Sequence, residues 1–376
     1  MFIDTPDELH RFCERARGER VIAVDTEFLR EKTFYPKLCL VQVATADEVV
    51  AIDPLAIADL APLAALLTDD RIVKVFHACT QDLEVISSSM GCDCAPVFDT
   101  QLAAAFLGLR QQISLGALVE AYCDVHLPKA DSLTDWSRRP LDADQLEYAE
   151  DDVRYLIGIY AKMMDELAEK GRLGWITPEM DALTAPERVR RSPEEAYLKL
   201  KRSSSLTRRQ LAIAREIAAW RERAASKRDI PRKWVLSDEL VVELSRRAPE
   251  SQERLRRMRG TEQLSDRDAG NIVSAVKRGL AVPPADCPRI EHHPRPAAEV
   301  EGAIDLMYAL LRVVSDKIGI AAPLIATRDD LAEFIARRDR SRLAESWRYE
   351  VLGRELDKLL AGELGLTVKG GRIEIL

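Results

Sequence analysis

The chain has 376 residues, 47% of them hydrophobic and 31% charged, with a formal net charge of −8. That length implies two or three domains, and the balance is that of a water-soluble globular protein rather than a disordered or fibrous one. The longest apolar region, 49–67, is broken by Asp53, Pro54, Asp59 and Pro62, so it is no membrane span. The N-terminus lacks a signal-peptide succession, and seven scattered cysteines read as free thiols of a cytoplasmic protein, Cys92-Asp93-Cys94 lacking zinc spacing.

In chain order, Thr5-Pro6-Asp7-Glu8 reads as a helix start with a capping box. Strand-like runs follow at Val21–Val24, Leu38–Ala44, Glu48–Ile52 and Ile72–Phe76, with Thr45-Ala46-Asp47 a hairpin turn between the second and third. Helical patterns occupy Gln81–Ser89, Thr100–Leu107, Leu115–Tyr122 and one long stretch, Asp142–Lys170. A mixed sheet followed by helices against it gives an α/β domain over residues 1–175. Three prolines and Ser203-Ser204-Ser205 mark 176–203 as connector.

From Leu206 the pattern is all helical. Thr207-Arg208-Arg209-Gln210 is a capping box and Leu211, Ile213, Ala214, Ile217, Ala218 and Trp220 supply a core face. Residues 204–282 form a first all-α helical-bundle domain, 283–297 a Pro-rich linker containing His292-His293, and 298–376 a second all-α helical-bundle domain. Starts at Ser237-Asp238-Glu239-Leu240 and Thr327-Arg328-Asp329-Asp330-Leu331 suggest distant copies with a period of about 90 residues. Between Lys201 and Pro283 there are 20 Lys/Arg against 11 Asp/Glu, which leaves the remainder of the chain strongly acidic. A basic module on an acidic enzyme suits a polyanionic substrate, although surplus charge also serves an ordinary solvated face.

Chemistry concentrates in the acidic part. In Val21-Ile22-Ala23-Val24-Asp25-Thr26-Glu27-Phe28 an apolar strand runs into two carboxylates at i and i+2, which point to the same side. Two close anions repel, and a hard divalent cation with oxygen ligands is the economical compensation; a plain strand end with solvated acids is the bland alternative. Asp82 falls in the first turn of a helix that follows another strand, where the dipole favours a carboxylate. In Tyr148-Ala149-Glu150-Asp151-Asp152 either aspartate shares a face with the tyrosine by spacing. Helix geometry separates them: Asp152 lies roughly 80° and Tyr148 roughly 120° from the centre of the apolar stripe, while Asp151 lies opposite it.

These five residues resemble the DEDD superfamily of 3′–5′ exonucleases, in the branch with a tyrosine ahead of the last aspartate. The resemblance extends through Asp25-Thr26-Glu27-Phe28, Tyr35-Pro36-Lys37-Leu38-Cys39-Leu40-Val41-Gln42, Phe76-His77-Ala78, Phe98-Asp99-Thr100-Gln101 and Thr134-Asp135-Trp136-Ser137-Arg138-Arg139-Pro140-Leu141, which look like the ribonuclease D family. The two helical modules resemble HRDC domains, the first closely and the second loosely.

The resemblance implies a ribonuclease H-like fold. It implies a two-metal site of Asp25, Glu27, Asp82 and Asp152 holding Mg2+ or Mn2+, with Tyr148 orienting the attacking water. It further implies 3′–5′ hydrolysis of RNA to 5′-mononucleotides in tRNA 3′ maturation and trimming of small structured RNAs, by a cytoplasmic monomer. Phe28, Gln42, His77, Gln81 and Trp136 are candidates for gripping the terminal nucleotides; Phe28 and His77 are as readily structural. The acids alone leave open a DNA-directed exonuclease, since HRDC domains also accompany DNA helicases, and a non-catalytic RNA-binding scaffold.

Overall fold

The computed structural model describes residues 1–128, 134–185, 192–289 and 298–376. The N-terminal part is built on a six-stranded sheet in the order β1-β4-β3-β2-β5-β6. Strand β1 (Phe2–Ile3) leads into helix α1 (Pro6–Ala16), and β2 (Val21–Leu29), β3 (Lys37–Ala44) and β4 (Val49–Ile52) form the antiparallel meander. Helix α2 (Ala61–Leu67), β5 (Val73–Phe76), α3 (Thr80–Met90), β6 (Val97–Asp99), α4 (Thr100–Leu107) and α5 (Leu115–Cys123) follow. β5 joins β2 in parallel and β6 joins β5. The expected strands are present, and β2 runs five residues beyond Val24, through both carboxylates. β1, β6 and α2 were not expected; two- and three-residue strands leave no periodicity to read. Thr5 precedes α1 as expected, but its hydroxyl donates to the Glu8 carboxylate at 2.7 Å instead of accepting a backbone N–H.

Alternation along the strands gives the sheet two apolar faces. Ile22, Val24, Val41, Val43, Val50 and Ile52 pack with Leu9, Phe12, Leu63, Leu66 and Leu83 of α1–α3. On the other face Leu40 and Ala51 meet Trp136 and Ala149, and Ala23, Ala44 and Val75 meet the later helices. The single helix expected over Asp142–Lys170 divides at Tyr155 into α6 (Ala143–Arg154) and α7 (Leu156–Glu169). Neither proline nor glycine marks the break. Its origin is tertiary, because α6 crosses β2, β3 and β4 whereas α7 packs on α4, β2 and β5. Helix α8 (Leu173–Leu183) carries Pro178 within it, and Ile176 and Met180 lie in the same core. Residues 176–183 therefore pack with the N-terminal domain rather than serve as connector, and 186–191 lie outside the described residues.

In the basic region, α9 (Arg208–Arg228), α10 (Arg232–Val235), α11 (Asp238–Arg247), α12 (Gln252–Arg256) and α13 (Asp266–Ala281) enclose their own core of Leu211, Ile217, Val241, Leu244, Ile272 and Val276. Thr207 forms the expected capping box with Gln210. The next module repeats the opening three helices as α14 (Ala298–Ile318), α15 (Ala322–Ile325) and α16 (Arg328–Ala336), each starting 90 residues after its counterpart. After α17 (Arg354–Ala361) the chain closes with a hairpin, β7 (Leu366–Lys369) and β8 (Arg372–Ile375). Gly370-Gly371, both at positive φ, make its turn and were a hairpin signal available in the sequence. His292-His293 and the rest of 290–297 lie outside the described residues. No helix among the described residues is long and apolar enough to cross a membrane.

The two modules are held differently. Ile304, Met307, Leu310, Phe334 and Trp347 of the second belong to one core with Phe106, Leu156 and Met163 of the N-terminal domain. Trp347 stacks on Trp175 with ring centroids 5.8 Å apart and donates its indole N–H to Glu179 at 3.0 Å. The Arg172 guanidinium donates to the carbonyls of Phe106 and Ile318. The first module instead touches the loop after β2. Asp229 accepts the backbone N–H groups of Phe34 and Tyr35 at 3.0 and 3.1 Å, and the Arg232 guanidinium lies 4.5 Å over the Phe34 ring.

Gly108 marks a close approach of the N-terminal domain to the second module. Its φ is +93°, and a Cβ there would sit 2.6 Å from the Gly319 carbonyl oxygen. Gly108→Ala is expected to cost about 1–3 kcal/mol through backbone strain and overpacking, read as a lower Tm and faster proteolysis between the N-terminal domain and the second module. Gly116→Ala, in open space within α5, is the control and leaves Tm unchanged or slightly raised.

Candidate active site

The long β2 strand carries Asp25 and Glu27 on the face that α6 crosses, and α6 brings Asp152 down onto them. One carboxylate oxygen from each of Asp25, Glu27 and Asp152 lies within 4.8 Å of the others. Asp151 points away and pairs with Arg154 at 2.9 Å, as helix geometry requires. Tyr148, one turn before Asp152, interacts with its carboxylate, and its ring centroid lies 6.1 Å from that of Trp136. Trp136 is 8% exposed and walls the site. Its loop is clamped to the sheet by Arg139, which binds Asp53 at 2.6 and 2.7 Å, the Cys39 carbonyl at 2.7 Å and the Trp136 carbonyl at 2.8 Å.

Asp82 reaches the site from behind. It is buried in the first turn of α3 and accepts a hydrogen bond from the Thr26 hydroxyl at 2.5 Å. Thr26 alternates with Asp25 and Glu27 and so faces the opposite side of β2. Asp82 is thus outside the three-carboxylate group, yet its charge is felt by Asp25 and Glu27. The turn that places α3 is held by Asp99, whose carboxylate accepts four backbone N–H groups: Ala78 at 3.2, Cys79 at 2.9, Gln101 at 2.8 and Leu102 at 3.1 Å. This clamp lets Ala78 keep a left-handed φ of +64°. Asp99 was not singled out in the sequence; an aspartate directly before the Thr100 helix is an N-cap signal that could have found it.

The five candidate nucleotide contacts sit in different surroundings. His77 has both ring nitrogens engaged, Nδ1 with the Thr100 hydroxyl at 2.9 Å and Nε2 with the Ile113 carbonyl at 3.0 Å, and burial lowers its pKa. It ties a loop together. Phe28 is half-buried against the core behind the sheet, after a register shift between Glu27 and Phe28. Gln81 is exposed beside Asp82. Gln42 is 0% exposed, directly opposite Asp25 in the β2–β3 register, and neither its Nε2 nor its Oε1 has a hydrogen-bond partner. A buried amide in that condition costs about 1–3 kcal/mol.

Burial and mutual repulsion push the acids up together. Glu27 rises to about 8, through desolvation first and then Asp152 and Asp82. Asp152 rises to about 7 through desolvation, opposed by the Tyr148 hydrogen bond and reinforced by Asp151 and Asp82. Asp82 rises to about 6, again from desolvation, moderated by Thr26. Asp25, which faces the other three, is held well above the usual carboxylate range by desolvation and then by their charges. None of the four forms an ion pair among the described residues. An all-oxygen set of converging carboxylates without a basic partner fits a hard divalent cation of the Mg2+ or Mn2+ type.

Comparison with known proteins agrees with this geometry. A family described as 3'-5' exonuclease matches residues 1–168, and the HRDC domain family matches residues 210–276. Ribonuclease D of Nitrobacter hamburgensis is 41% identical over 99% of this chain and 98% of its own, and that of Sphingobium indicum 41% over 98% and 96%. The crystal structure of Escherichia coli RNase D, described as an exoribonuclease involved in structured RNA processing, superposes with a TM-score of 0.83 at 32% identity, covering 96% of this chain and 98% of that one.

A raised carboxylate pKa has a definite sign in folding. Between the ordinary range and pH 8 the folded chain binds protons that the unfolded chain has released, so metal-free stability falls as pH rises through that window. In chelator, Tm is expected to drop between pH 5 and pH 8, and Mg2+ or Mn2+ to restore it at pH 8. Glu27→Gln flattens the slope. The difference between the two proteins isolates the site from His77, whose lowered pKa acts in the opposite direction. Parallel profiles of wild type and variant would contradict this electrostatic account.

Proposed function

The chain belongs to the ribonuclease D family, and on that premise we propose that it is a metal-dependent 3′–5′ exoribonuclease. It trims tRNA precursors and other small structured RNAs in the cytoplasm, as a monomer, and releases 5′-mononucleotides. The observation that carries this reading is the meeting of Asp25 and Glu27 of β2 with Asp152 of α6, with Tyr148 one turn before Asp152. Asp25, Glu27 and Asp152 would hold one Mg2+ or Mn2+, and Asp25 with Asp82 a second. Two such ions, when bound, supply charge stabilisation to both the attacking water and the leaving 3′-oxygen of an in-line displacement.

The chain's own residues do the positioning. Tyr148, whose phenol is pushed above its ordinary value by burial and then by the neighbouring carboxylates of the metal-free site, would orient the attacking water. Trp136 excludes solvent beside it. Thr26 and Asp99 fix Asp82, and Arg139 fixes the Trp136 loop. Gln81, exposed beside Asp82, remains as a contact for the terminal nucleotides, whereas Phe28 packs against the core behind the sheet.

The first helical module extends the grip. A cleft of about 750 Å³ is lined by Arg202, Lys233, Trp234, Arg246 and Arg259. Trp234 is 56% exposed, and Arg202, Lys233 and Arg259 form no ion pair among the described residues. An exposed indole among free cations suits a single strand, one base stacked and its phosphates neutralised. The module holds the loop after β2 through Asp229. Seven residues separate Glu27 from Phe34, so the docking point lies within about 25 Å of the carboxylates along the chain.

The reading is tested with a 5′-labelled tRNA carrying extra 3′ nucleotides and a DNA of matching sequence. Chelator-sensitive shortening of the RNA from its 3′ end, lost in Asp152→Ala, is expected. Degradation of DNA alone would reassign the substrate, and binding without cleavage would leave only a scaffold. Trp234→Ala is expected to raise KM for the tRNA by roughly 5–150-fold, the equivalent of about 1–3 kcal/mol of stacking, with kcat unchanged and dinucleotide hydrolysis unaffected. Removing Lys233 and Arg259 together lowers the salt dependence of tRNA binding.

A further inference from the structure

Among the described residues Gln42 alone has every polar side-chain atom both buried and unpartnered; the two other buried orphans are single Nε atoms of Arg208 and Arg221, whose guanidinium groups bond elsewhere. Its place is specific. The β2–β3 register sets Gln42 directly opposite Asp25, and directly opposed residues of an antiparallel pair project from the same face with Cβ atoms about 4.5–5.5 Å apart. That face is the one covered by α6, between Leu40 and Ala44 and opposite Ala51 of β4. The strand residues flanking it on that face, Leu40, Ala44 and Ala51, are aliphatic and offer its amide no side-chain partner. A buried amide without a partner is a costly choice unless something in the working state uses it.

We propose that Gln42 is a positioning residue of the metal site: when cations occupy it, the Gln42 amide N–H donates to the Asp25 carboxylate and holds that carboxylate in the orientation that ligates them. The inference rests on the metal-dependent reading above and goes beyond it, since Gln42 itself touches neither metal nor RNA. A glutamine side chain opposite Asp25 is long enough to reach it, and a carboxylate has lone pairs to spare for an amide donor after ligation. Outer partners of this kind set ligand orientation, and their removal typically weakens metal binding 10–100-fold. This placement also replaces the sequence-based role of Gln42 as a nucleotide contact, which full burial rules out.

The test uses the full chain with Gln42→Met, which keeps the shape and removes both the donor and the acceptor, and Mn2+ alone as probe. Two readouts are expected to move in opposite directions. Tm in chelator rises, because the orphaned amide is gone, while Mn2+ affinity by calorimetry falls at least tenfold. Val43→Ala, the adjacent residue on the opposite face, is the control: it lowers Tm and leaves Mn2+ affinity intact. Unchanged Mn2+ affinity in Gln42→Met would overturn the proposal and leave the amide a structural group. A Mn2+ loss in Val43→Ala as large as that in Gln42→Met would overturn it too, since general loosening would then suffice. Failure of the exoribonuclease reading is seen separately, in the wild-type tRNA assay.

Discussion

Desolvation and mutual repulsion of four crowded carboxylates form the constraint on which the rest of this structure depends. Asp25, Glu27, Asp82 and Asp152 arrive from a strand, a helix start and a second helix, and all four are pushed upward in pKa. Folding brings them together only because each is held by something else. Asp25 and Glu27 are fixed by the central strand, Asp82 by Thr26 and the Asp99-clamped turn, and Asp152 by the apolar contacts of α6. The site is a stored electrostatic cost that a divalent cation relieves, so the same geometry both weakens the metal-free fold and selects the metal.

The scaffold beyond the site divides its labour. The second helical module shares a core with the nuclease and is bolted to it by Arg172, Glu179 and Trp347, so it stiffens the helices behind the sheet. The first module has a core of its own and meets the nuclease through the loop leading from β2 to β3. That loop joins the strand bearing Asp25 and Glu27 to the strand bearing Gln42. Asp229 and Arg232 therefore grip the segment most able to disturb the carboxylates, while the basic cleft lies on the same module.

Much of this was legible in the residues. The alternation of β2, the capping residues Thr207, Ser237 and Thr327, and the choice of Asp152 over Asp151 follow from strand and helix periods, and the structure agrees with each. Other features were not, for physical reasons. β1 and β6 are shorter than any pattern, and the break at Tyr155 has no local signal because it answers to two packing surfaces. His77 and Gln42 carry polar groups that a sequence reading assigns to substrate, whereas tertiary partners, or the lack of them, place both inside. The C-terminal hairpin was readable from Gly370-Gly371 and was missed beside a strong helical pattern.

The most direct test of the central claim is a crystal of this chain soaked in Mn2+ and measured near the manganese edge. The account predicts two anomalous peaks about 4 Å apart, one among Asp25, Glu27 and Asp152 and the other between Asp25 and Asp82, both lost in Asp25→Asn. Absence of any peak at these carboxylates in an ordered, fully soaked crystal would contradict it.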